Sequence, residues 1–389
     1  MTQSFIPLSV PSLKGNELKY VTKAIKDEWV STAGPYINSF ETEITNYVNA
    51  KGSVAVQNGT SGIHIALKLL GVSEQDEVIA PTLTFIAAVN PIKYCGASPV
   101  FMDCDESLGL DPQKLKVFLD EECEKKGDEL INKKSSKVIR AIIVVHVFGN
   151  MSDMESIMEI ANDYNLPVIE DATEAIGTFY TKGKLKGKFA GTIGKIGVYS
   201  FNGNKIMTTG GGGMIVSDDI NLLERARHLT TQAKSDPLYY THDEIGYNYR
   251  MTNLQAALGL AQLEQLENFI NVKKRNYDLY RNEFTSIDGL SLISFRENTR
   301  PNYWFYGMKI SEKYPLERKD IIQRLSDNSI QARPIWDLIH EQLPYQDTQA
   351  YNISLAYNFL NSIINIPCSS SLTSQEVQRV IKVLAELNR

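Results

Sequence analysis

Short runs of β-branched and apolar residues alternate with helical patterns along most of the 389-residue chain. Runs such as "SVAVQNG", "DEVIAP", "AIIVVHVFG" and "GGGMIVSD" have the length and composition of buried strands. The stretches "TSGIHIALKLLG" and "MESIMEIANDYN" between them carry apolar residues at helical spacing. Because neighbouring parallel strands need a crossover that a helix usually supplies, this alternation predicts an α/β fold with a mostly parallel sheet between helices.

The pattern changes at about residue 255. There "QAALGLAQLEQLENFINVKKRNYDLYRNEF" predicts one long helix, and beyond it strands and helices mix with more polar residues. We therefore predict an N-terminal segment with a substrate loop over residues 1–35, a large domain over 36–264 and a smaller α/β C-terminal domain over 265–389. The charged stretch "EECEKKGDELINKKSSKVIR" predicts an exposed helix end and loop.

Charge and cysteine content exclude several classes of function. A net charge of −6 offers no basic face for nucleic acid. The four cysteines show no C-x-x-C spacing, which favours free thiols over disulfides or a zinc site. The N-terminus lacks a signal-peptide pattern, and no apolar run approaches the length of a membrane span. These features predict a cytoplasmic protein without a metal and without a nucleic-acid or membrane partner.

Polar residues follow three of the predicted strands, at the sheet edge where α/β proteins collect ligands. Thr60 and Ser61 begin a predicted helix, where hydroxyls and free N–H groups either bind an anion or simply cap the helix. Asp171 ends a second strand, and alone its carboxylate suits a cap, a metal or a cationic ring. Ser200 and Lys205 follow a third strand, where an isolated lysine is usually exposed to solvent.

The stretch "SFNGNKIMTTGGGGMIV" is not a P-loop, because its lysine precedes the glycines instead of following them. Taken together, the three strand ends fit one ligand, pyridoxal 5′-phosphate (PLP). This ligand needs an anion site, a carboxylate that keeps its ring nitrogen protonated and a lysine that bonds to its aldehyde. Phe85 in "APTLTFIAAVN" is a candidate to stack on the ring. No G-x-G-x-x-G follows the first strand, which argues against an NAD-binding protein.

Several longer segments carry a resemblance to a known family, among them "WVSTAGPYINSFE", "NGTSGIHIAL", "VIEDATEAIGT" and "ARPIWDLIHEQLPY". The chain resembles the sugar-nucleotide aminotransferases of the DegT–DnrJ–StrS group. The resemblance implies a fold-type I PLP aminotransferase, active as a homodimer with shared active sites. It further implies transfer of an amino group from L-glutamate to C4 of a nucleotide-linked 4-keto-6-deoxy sugar, for surface polysaccharide or nonulosonic acid biosynthesis.

Within the family, the charged insertion near residues 121–138 and "SFNGNK" resemble the legionaminic-acid-type branch. That narrower resemblance implies a UDP-4-keto-6-deoxy-N-acetylhexosamine as the substrate. Lys205 argues against a related PLP-dependent sugar 3-dehydratase, which has a histidine at that position. A PLP enzyme for small amino acids and a non-catalytic regulator that binds PLP or a sugar remain alternatives.

Matching positions imply roles for individual residues. Lys205 would bond to the cofactor, Asp171 would pair with its ring nitrogen and Phe85 would stack on the ring. The phosphate would be held by Thr60, Ser61 and Ser200, with Asn202 nearby and with Asn248 reaching the cofactor of the neighbouring subunit. Glu174 stands where many members have Gln or His beside the cofactor's 3′-oxygen. A carboxylate there would repel the phenolate unless it were protonated or turned away.

Candidate substrate residues come from separate segments. In "WVSTAGPY", Ser31 and Thr32 would donate hydrogen bonds to the sugar from a closing loop. Arg250 and Arg333 are candidates for the diphosphate, since a guanidinium suits phosphate oxygens, and a structural salt bridge is the alternative for each. Trp304 in "NYWFYG" either lines the sugar or uridine site or packs in the core.

Overall fold

A computed structural model describes residues 4–236 and 238–388 of the chain. The first three residues of the predicted N-terminal segment and the last residue of the predicted C-terminal domain lie outside these ranges. The helices are α1 (Glu17–Lys26), α2 (Pro35–Val48), α3 (Gly59–Leu69), α4 (Asn90–Tyr94), α5 (Pro112–Glu121), α6 (Met154–Asp163), α7 (Ile220–Thr230), α8 (Asn253–Leu263), α9 (Leu266–Phe284), α10 (Arg318–Asp327), α11 (Leu355–Ser362) and α12 (Ser374–Leu387).

The strands alternate with these helices over the first part of the chain, and those beyond α9 have two to five residues. They are β1 (Gly52–Val56), β2 (Asp76–Pro81), β3 (Ser98–Met102), β4 (Cys123–Lys126), β5 (Glu129–Asn132), β6 (Val138–Val145), β7 (Val168–Asp171), β8 (Phe179–Tyr180), β9 (Ile196–Ser200), β10 (Gly213–Ser217), β11 (Lys234–Asp236), β12 (Thr241–His242), β13 (Leu290–Leu292), β14 (Thr299–Arg300), β15 (Tyr306–Ile310), β16 (Arg333–Pro334), β17 (Gln349–Tyr351) and β18 (Ile363–Ile366).

The main sheet runs in the order β1-β10-β9-β7-β6-β2-β3-β17, with β4 and β5 attached beside β6, which makes ten strands within the described ranges. All pairs from β9 to β17 along this order are parallel, whereas β10 is antiparallel to both β9 and β1. The predicted α/β fold with a mostly parallel sheet is therefore confirmed. Strands β2, β7 and β9 are buried along their whole length, as expected for strands covered on both faces.

Helix α3 packs closely against the middle of this sheet. A side chain at Gly62 would place its Cβ 2.6 Å from Val198 Cγ1 on β9, so only glycine permits the observed approach. The first turn of α3 is thereby held beside the carboxyl ends of β7 and β9. This placement brings together the strand ends that the sequence singles out.

The charged segment that predicts an exposed helix end and loop instead forms a β-hairpin, so that prediction was wrong. Strands β4 and β5 pair antiparallel around Gly127, whose φ of +63° suits a tight turn. Leu130 and Ile131 are buried, and Ile131 pairs with Val138 of β6. These apolar residues attach the hairpin to the main sheet, while the charged residues of β4 face solvent.

The single long helix predicted from about residue 255 is in fact two helices, because α8 ends at Leu263 and α9 begins at Leu266. The predicted division between 264 and 265 falls at this break. Beyond it, β13, β15, β18 and β16 form a separate sheet, yet β17 returns to pair with β3 of the main sheet. The two-domain division itself stays a prediction.

Among the described residues, none of the helices has both the length and the apolar character needed to cross a membrane.

Candidate active site

A cavity of about 350 Å³ lies at the carboxyl ends of β7 and β9, beside the first turn of α3. The structure brings most of the sequence-predicted cofactor residues to its wall. Those that line it are Thr60, Phe85, Asp171, Glu174, Ser200, Asn202 and Lys205, and Trp304, a predicted substrate residue, joins them. We refer to this cavity as the lysine pocket.

The first turn of α3 forms one end of the lysine pocket. Asn58 caps the helix by accepting a hydrogen bond from the backbone N–H of Ser61 at 2.8 Å. A Cβ on Gly59 would lie 2.8 Å from Thr173 Cγ2, so the close approach of the backbone here requires glycine. The free N–H groups of this turn, together with Thr60 and Ser200, suit a phosphate.

Ser61 is placed differently from its predicted neighbours. Its hydroxyl donates to the backbone oxygen of Asn58 at 2.8 Å, and it does not line the lysine pocket. It lines a separate pocket with Thr60 and Tyr249 instead. In this structure the Ser61 side chain therefore completes the helix cap, and its predicted contact with phosphate remains a prediction.

Asp171 ends β7 with its side chain buried, and Oδ1 accepts a hydrogen bond from the Thr173 N–H at 3.0 Å. Burial raises the pKa of this carboxyl, which the Thr173 hydrogen bonds and the Lys205 charge oppose. A protonated ring nitrogen placed beside it would favour the charged carboxylate. The environment of Asp171 thus fits the pyridinium partner that PLP needs.

Glu170, the residue before Asp171, holds the end of β7 in place. Its carboxylate accepts hydrogen bonds from the His146 ring at 2.9 Å and from the N–H groups of Gly191 at 2.9 Å and Ile193 at 2.6 Å. Glu170 and His146 are both fully buried. The sequence shows Glu170 beside Asp171 but does not reveal these partners, because they come from two distant loops.

Lys205 is a mostly buried pocket residue and not an exposed one. Its Nζ lies 4.1 Å from the centroid of the Trp304 ring and 3.5 Å from Glu174 Oε1. The side chain is 13% exposed. After β9 the chain makes a turn, which is closed by a hydrogen bond from the Lys205 N–H to the Asn202 oxygen. An amine held here is available for bond formation with a ligand in the pocket.

Glu174 lies in the lysine pocket, as the sequence predicts. Its Oε2 accepts a hydrogen bond from the Phe148 N–H at 2.8 Å, and its other oxygen faces Lys205. Burial raises the pKa of Glu174, which the Lys205 charge opposes. Asn302 holds the backbone of the same turn by donating to the Glu174 carbonyl at 2.8 Å. The carboxyl is therefore firmly positioned, and its raised pKa favours the neutral form.

Aromatic side chains close the pocket on the side of the C-terminal part of the chain. Trp304 is 2% exposed and donates from Nε1 to the Asn204 oxygen at 2.9 Å. Trp336 also lines the pocket, with its ring centroid 5.2 Å from Phe148 and 6.2 Å from Phe85. Trp336 is not among the residues predicted from the sequence, although it lies in the segment "ARPIWDLIHEQLPY" that carries the family resemblance.

A second cavity of about 600 Å³ adjoins the lysine pocket and shares part of its wall. The shared residues are Thr84, Phe85, Asn204, Phe305 and Trp336. We call this cavity the outer chamber. Arg333 lines it and is exposed, and among the described residues its guanidinium has no carboxylate within ion-pair distance. Its position is compatible with the predicted contact to a diphosphate.

Arg250 is held elsewhere, in an ion pair with Glu41 at 2.5 Å, and both side chains are buried. Burial lowers the pKa of Arg250, and the Glu41 charge opposes this. Glu41 also binds Arg227 at 2.8 Å and accepts from the Ala55 N–H. Arg250 does not line the lysine pocket or the outer chamber, so its predicted contact with the diphosphate does not fit this placement. Its position is the one expected from the alternative prediction, a structural salt bridge.

Three predicted residues lie outside both cavities and are exposed, namely Ser31, Thr32 and Asn248. The loop that carries Ser31 is tied to α8, because the Asn253 N–H donates to the Ser31 oxygen at 2.6 Å. Asn248 pairs through its backbone with Thr231. The predicted contact of Asn248 with the cofactor of a second subunit, and those of Ser31 and Thr32 with the sugar, remain predictions.

A match to a family model decides which family the chain belongs to. The model of the DegT/DnrJ/EryC1/StrS aminotransferase family matches residues 11–385. The chain belongs to this family. The predicted membership of the DegT–DnrJ–StrS group is therefore confirmed. Aminotransferases of the DegT/DnrJ/EryC1/StrS family depend on PLP, so the predicted cofactor is confirmed as well. The buried Asp171 and the glycine-lined turn at Gly59 agree with that cofactor.

Individual relatives of the DegT/DnrJ/EryC1/StrS family are similar over nearly the whole chain. A GDP-perosamine synthase of Escherichia coli O157:H7 is 38% identical and covers 98% of this chain and 98% of its own. A UDP-4-amino-4,6-dideoxy-N-acetyl-beta-L-altrosamine transaminase of Campylobacter jejuni is 27% identical over 96% of this chain and 95% of its own. The solved structure of the Helicobacter pylori aminotransferase PseC has a TM-score of 0.87 at 22% identity, covering 99% of each chain.

Proposed function

We propose that the protein transfers an amino group from L-glutamate to C4 of a 4-keto-6-deoxy sugar that is linked to a nucleoside diphosphate. The observation that carries this proposal is the pair of adjoining cavities. The lysine pocket contains Lys205 and Asp171, and the outer chamber contains Arg333. A sugar in the first cavity with its diphosphate in the second would use both, whereas a small amino acid needs only the first.

The names of two relatives support a nucleotide-linked amino sugar as the product. One relative is named for a GDP-linked amino sugar and another for a UDP-linked 4-amino-4,6-dideoxy sugar. The sequence predicts a UDP-4-keto-6-deoxy-N-acetylhexosamine as the acceptor, and this remains one candidate. A GDP-linked keto sugar is the second candidate, favoured by the higher identity of 38% to the GDP-perosamine synthase.

Bound PLP would act as an electron sink that stabilises negative charge on the carbon bearing the transferred nitrogen. Asp171 would hold the ring nitrogen in its protonated form. Lys205 would accept and return a proton at Nζ, as general base and then general acid. Its position 4.1 Å from the Trp304 ring keeps this amine in a confined site with little access for water.

The proposal includes a homodimer in which each subunit completes the other's site. Ser31, Thr32 and Asn248 are exposed and lie outside the cavities of their own chain. Their predicted roles as ligands of sugar and phosphate would therefore require the neighbouring subunit. The product would be a 4-amino sugar for surface polysaccharide or nonulosonic acid biosynthesis.

The test is a panel of UDP-, GDP- and dTDP-linked 4-keto sugars incubated with glutamate, with products identified by mass spectrometry. The expected product carries an amine in place of the C4 carbonyl and appears together with 2-oxoglutarate. Loss of the C3 hydroxyl with release of ammonia would indicate the dehydratase alternative. Amination of free 2-oxo acids alone would indicate an amino-acid enzyme. Binding without any turnover would indicate a regulator.

A further inference from the structure

Lys273 is a buried lysine whose amine binds the main chain of two other segments. It lies on α9 with 1% of its surface exposed. Its Nζ donates hydrogen bonds to the carbonyl oxygen of Trp304 at 3.1 Å and to that of Cys368. Among the described residues, no carboxylate lies within ion-pair distance of it. Burial lowers the pKa of Lys273, and a neutral amine has two N–H groups for these two carbonyls. The side chain therefore serves as a donor to the main chain and not as an ion-pair partner.

The main chain at Trp304 depends on side chains for both of its hydrogen bonds. Its carbonyl is bound by Lys273, and its N–H donates to Asn302 Oδ1 at 3.0 Å. Within the described ranges, no backbone group pairs with either. The preceding residue, Tyr303, has a φ of +57°, which a bulky residue keeps only where its surroundings enforce it. Two buried side chains, Lys273 and Asn302, thus hold the backbone of this segment.

This segment presents the indole ring of Trp304 to the lysine pocket. The ring centroid lies 4.1 Å from Nζ of Lys205. The indole has one further tether, the hydrogen bond from its Nε1 to the Asn204 oxygen at 2.9 Å. Asn302 also binds the Glu174 carbonyl at 2.8 Å, so the same backbone clamp adjoins both groups that contact the Lys205 amine. A shift of the Trp304 main chain would therefore move the ring away from that amine.

We propose that Lys273 is a positioning residue for Lys205. By holding the Trp304 carbonyl it keeps the indole ring against Nζ, and the ring limits the directions that the amine can take in the pocket. The inference rests on the proposed function, in which Lys205 bonds to the cofactor and moves a proton. Lys273 lines neither cavity, so its effect reaches the reaction through Trp304. Such an effect can be large, because a misplacement of about 1 Å in an active site can lower a rate roughly 10²-fold.

The first test measures how fast cyanate carbamoylates Lys205 in the cofactor-free protein, read by peptide mass spectrometry. Lys273→Met keeps a side chain of similar length and removes the donor. Lys274→Met is the matched control, because Lys274 is the next residue on α9, is exposed and pairs with Asp278 at 2.5 Å. Loss of the hydrogen bond that holds the ring should raise the labelling rate of Lys205 roughly fivefold in Lys273→Met. Lys274→Met should label as wild type.

A second pair of variants separates positioning through the ring from a general loosening of the fold. Trp304→Leu removes the indole, so adding Lys273→Met to it should cause no further change in labelling. In the PLP-loaded protein, Lys273→Met should slow the change in cofactor absorption at saturating glutamate roughly tenfold. The glutamate concentration that gives half the maximal rate should stay nearly the same, since Lys273 contacts neither cavity.

Equal labelling of Lys205 in wild type and Lys273→Met would overturn the inference. An increase of the same size with and without the Trp304 ring would also overturn it, because the effect would then not pass through the indole. Failure of the wild type to aminate any keto sugar would refute the proposed function itself, while the labelling result in the cofactor-free protein would still decide the role of Lys273. If Lys273→Met does not fold, Lys273→Gln is measured against the same outcomes.

Discussion

Nζ of Lys205 and Oε1 of Glu174 lie 3.5 Å apart inside a pocket in which their side chains are 13% and 5% exposed. The amine is the group proposed to bond to the cofactor and carry protons, and the Glu174 carboxyl is its ion-pair partner within the described residues. Because the second oxygen of Glu174 is bound by the Phe148 N–H, the carboxyl cannot turn away from the lysine without losing that bond. The pair links the charge of the carboxyl to the reactivity of the amine.

Lys205→Ala should abolish transamination while the protein keeps its fold, because no other group replaces the lysine amine. General acid–base catalysis of this kind contributes roughly 10²–10⁴-fold to rate. Borohydride reduction of the wild type should remove the near-visible absorption of the cofactor and attach it covalently to Lys205, as read by peptide mass spectrometry. Lys188→Ala, which removes an exposed lysine, should behave as wild type. Full activity of Lys205→Ala would refute the assignment.

Glu174→Gln should change the pH dependence of stability in the cofactor-free protein. The pKa of Glu174 is raised by burial, so the folded state binds a proton more tightly than the unfolded state does. The contribution of this group to stability is therefore present at low pH and is lost as pH rises from about 4.5 toward the raised value. Each unit by which the pKa is raised corresponds to about 1.4 kcal/mol.

Relative to wild type, Glu174→Gln should therefore become more stable as the pH increases from 4 to 7, measured by urea unfolding at each pH. The glutamine cannot titrate and keeps a similar shape, which makes it the matched variant. A stability difference that is flat over this range would show that the carboxyl keeps its ordinary pKa in the fold.

Arg250→Ala and Arg333→Ala should have opposite signatures. Arg250 is buried with Glu41, and its removal leaves the buried carboxylate with only the partly exposed Arg227 as its cation, which should cost up to roughly 3 kcal/mol of unfolding free energy. Arg333 is exposed in the outer chamber, so its removal should leave stability nearly unchanged and raise KM for the nucleotide sugar. Urea unfolding and steady-state kinetics on the two variants separate the roles. Unchanged stability with a raised KM in Arg250→Ala would restore its role at the diphosphate.

A mixture of two inactive variants should recover activity if the sites are shared between subunits. Lys205→Ala removes the amine, and Asn248→Ala removes a group proposed to reach the neighbouring subunit's phosphate site. In a hybrid dimer, one of the two sites retains both residues. Activity should therefore appear after subunits exchange. Its absence, under conditions where exchange is demonstrated by mass spectrometry of the hybrids, would indicate sites completed within one chain.

Local patterns in the sequence were sufficient to predict that Thr60, Asp171 and Lys205 meet in one pocket. Asp171 and Lys205 each follow a run of buried strand residues, and the carboxyl ends of parallel strands meet at one edge of a sheet. Their convergence therefore follows from the alternation of strands and helices together with a general rule of topology. The same holds for Thr60 at the start of α3, since the helix must follow the turn after β1.

Contacts between distant segments were decided only by the tertiary structure. No residue near Arg250 in the sequence indicates its ion-pair partner, because Glu41 lies more than 200 residues away along the chain. The fold brings the two together and neutralises the arginine. The hairpin of β4 and β5 depends on burying Ile131 beside β6, which no local charge pattern shows. Asn365 and Arg333 become neighbours only when β16 pairs with β18. Residue type and spacing determine how each segment folds, whereas packing between segments determines which charges are paired, which polar groups stay free and where a second cavity opens.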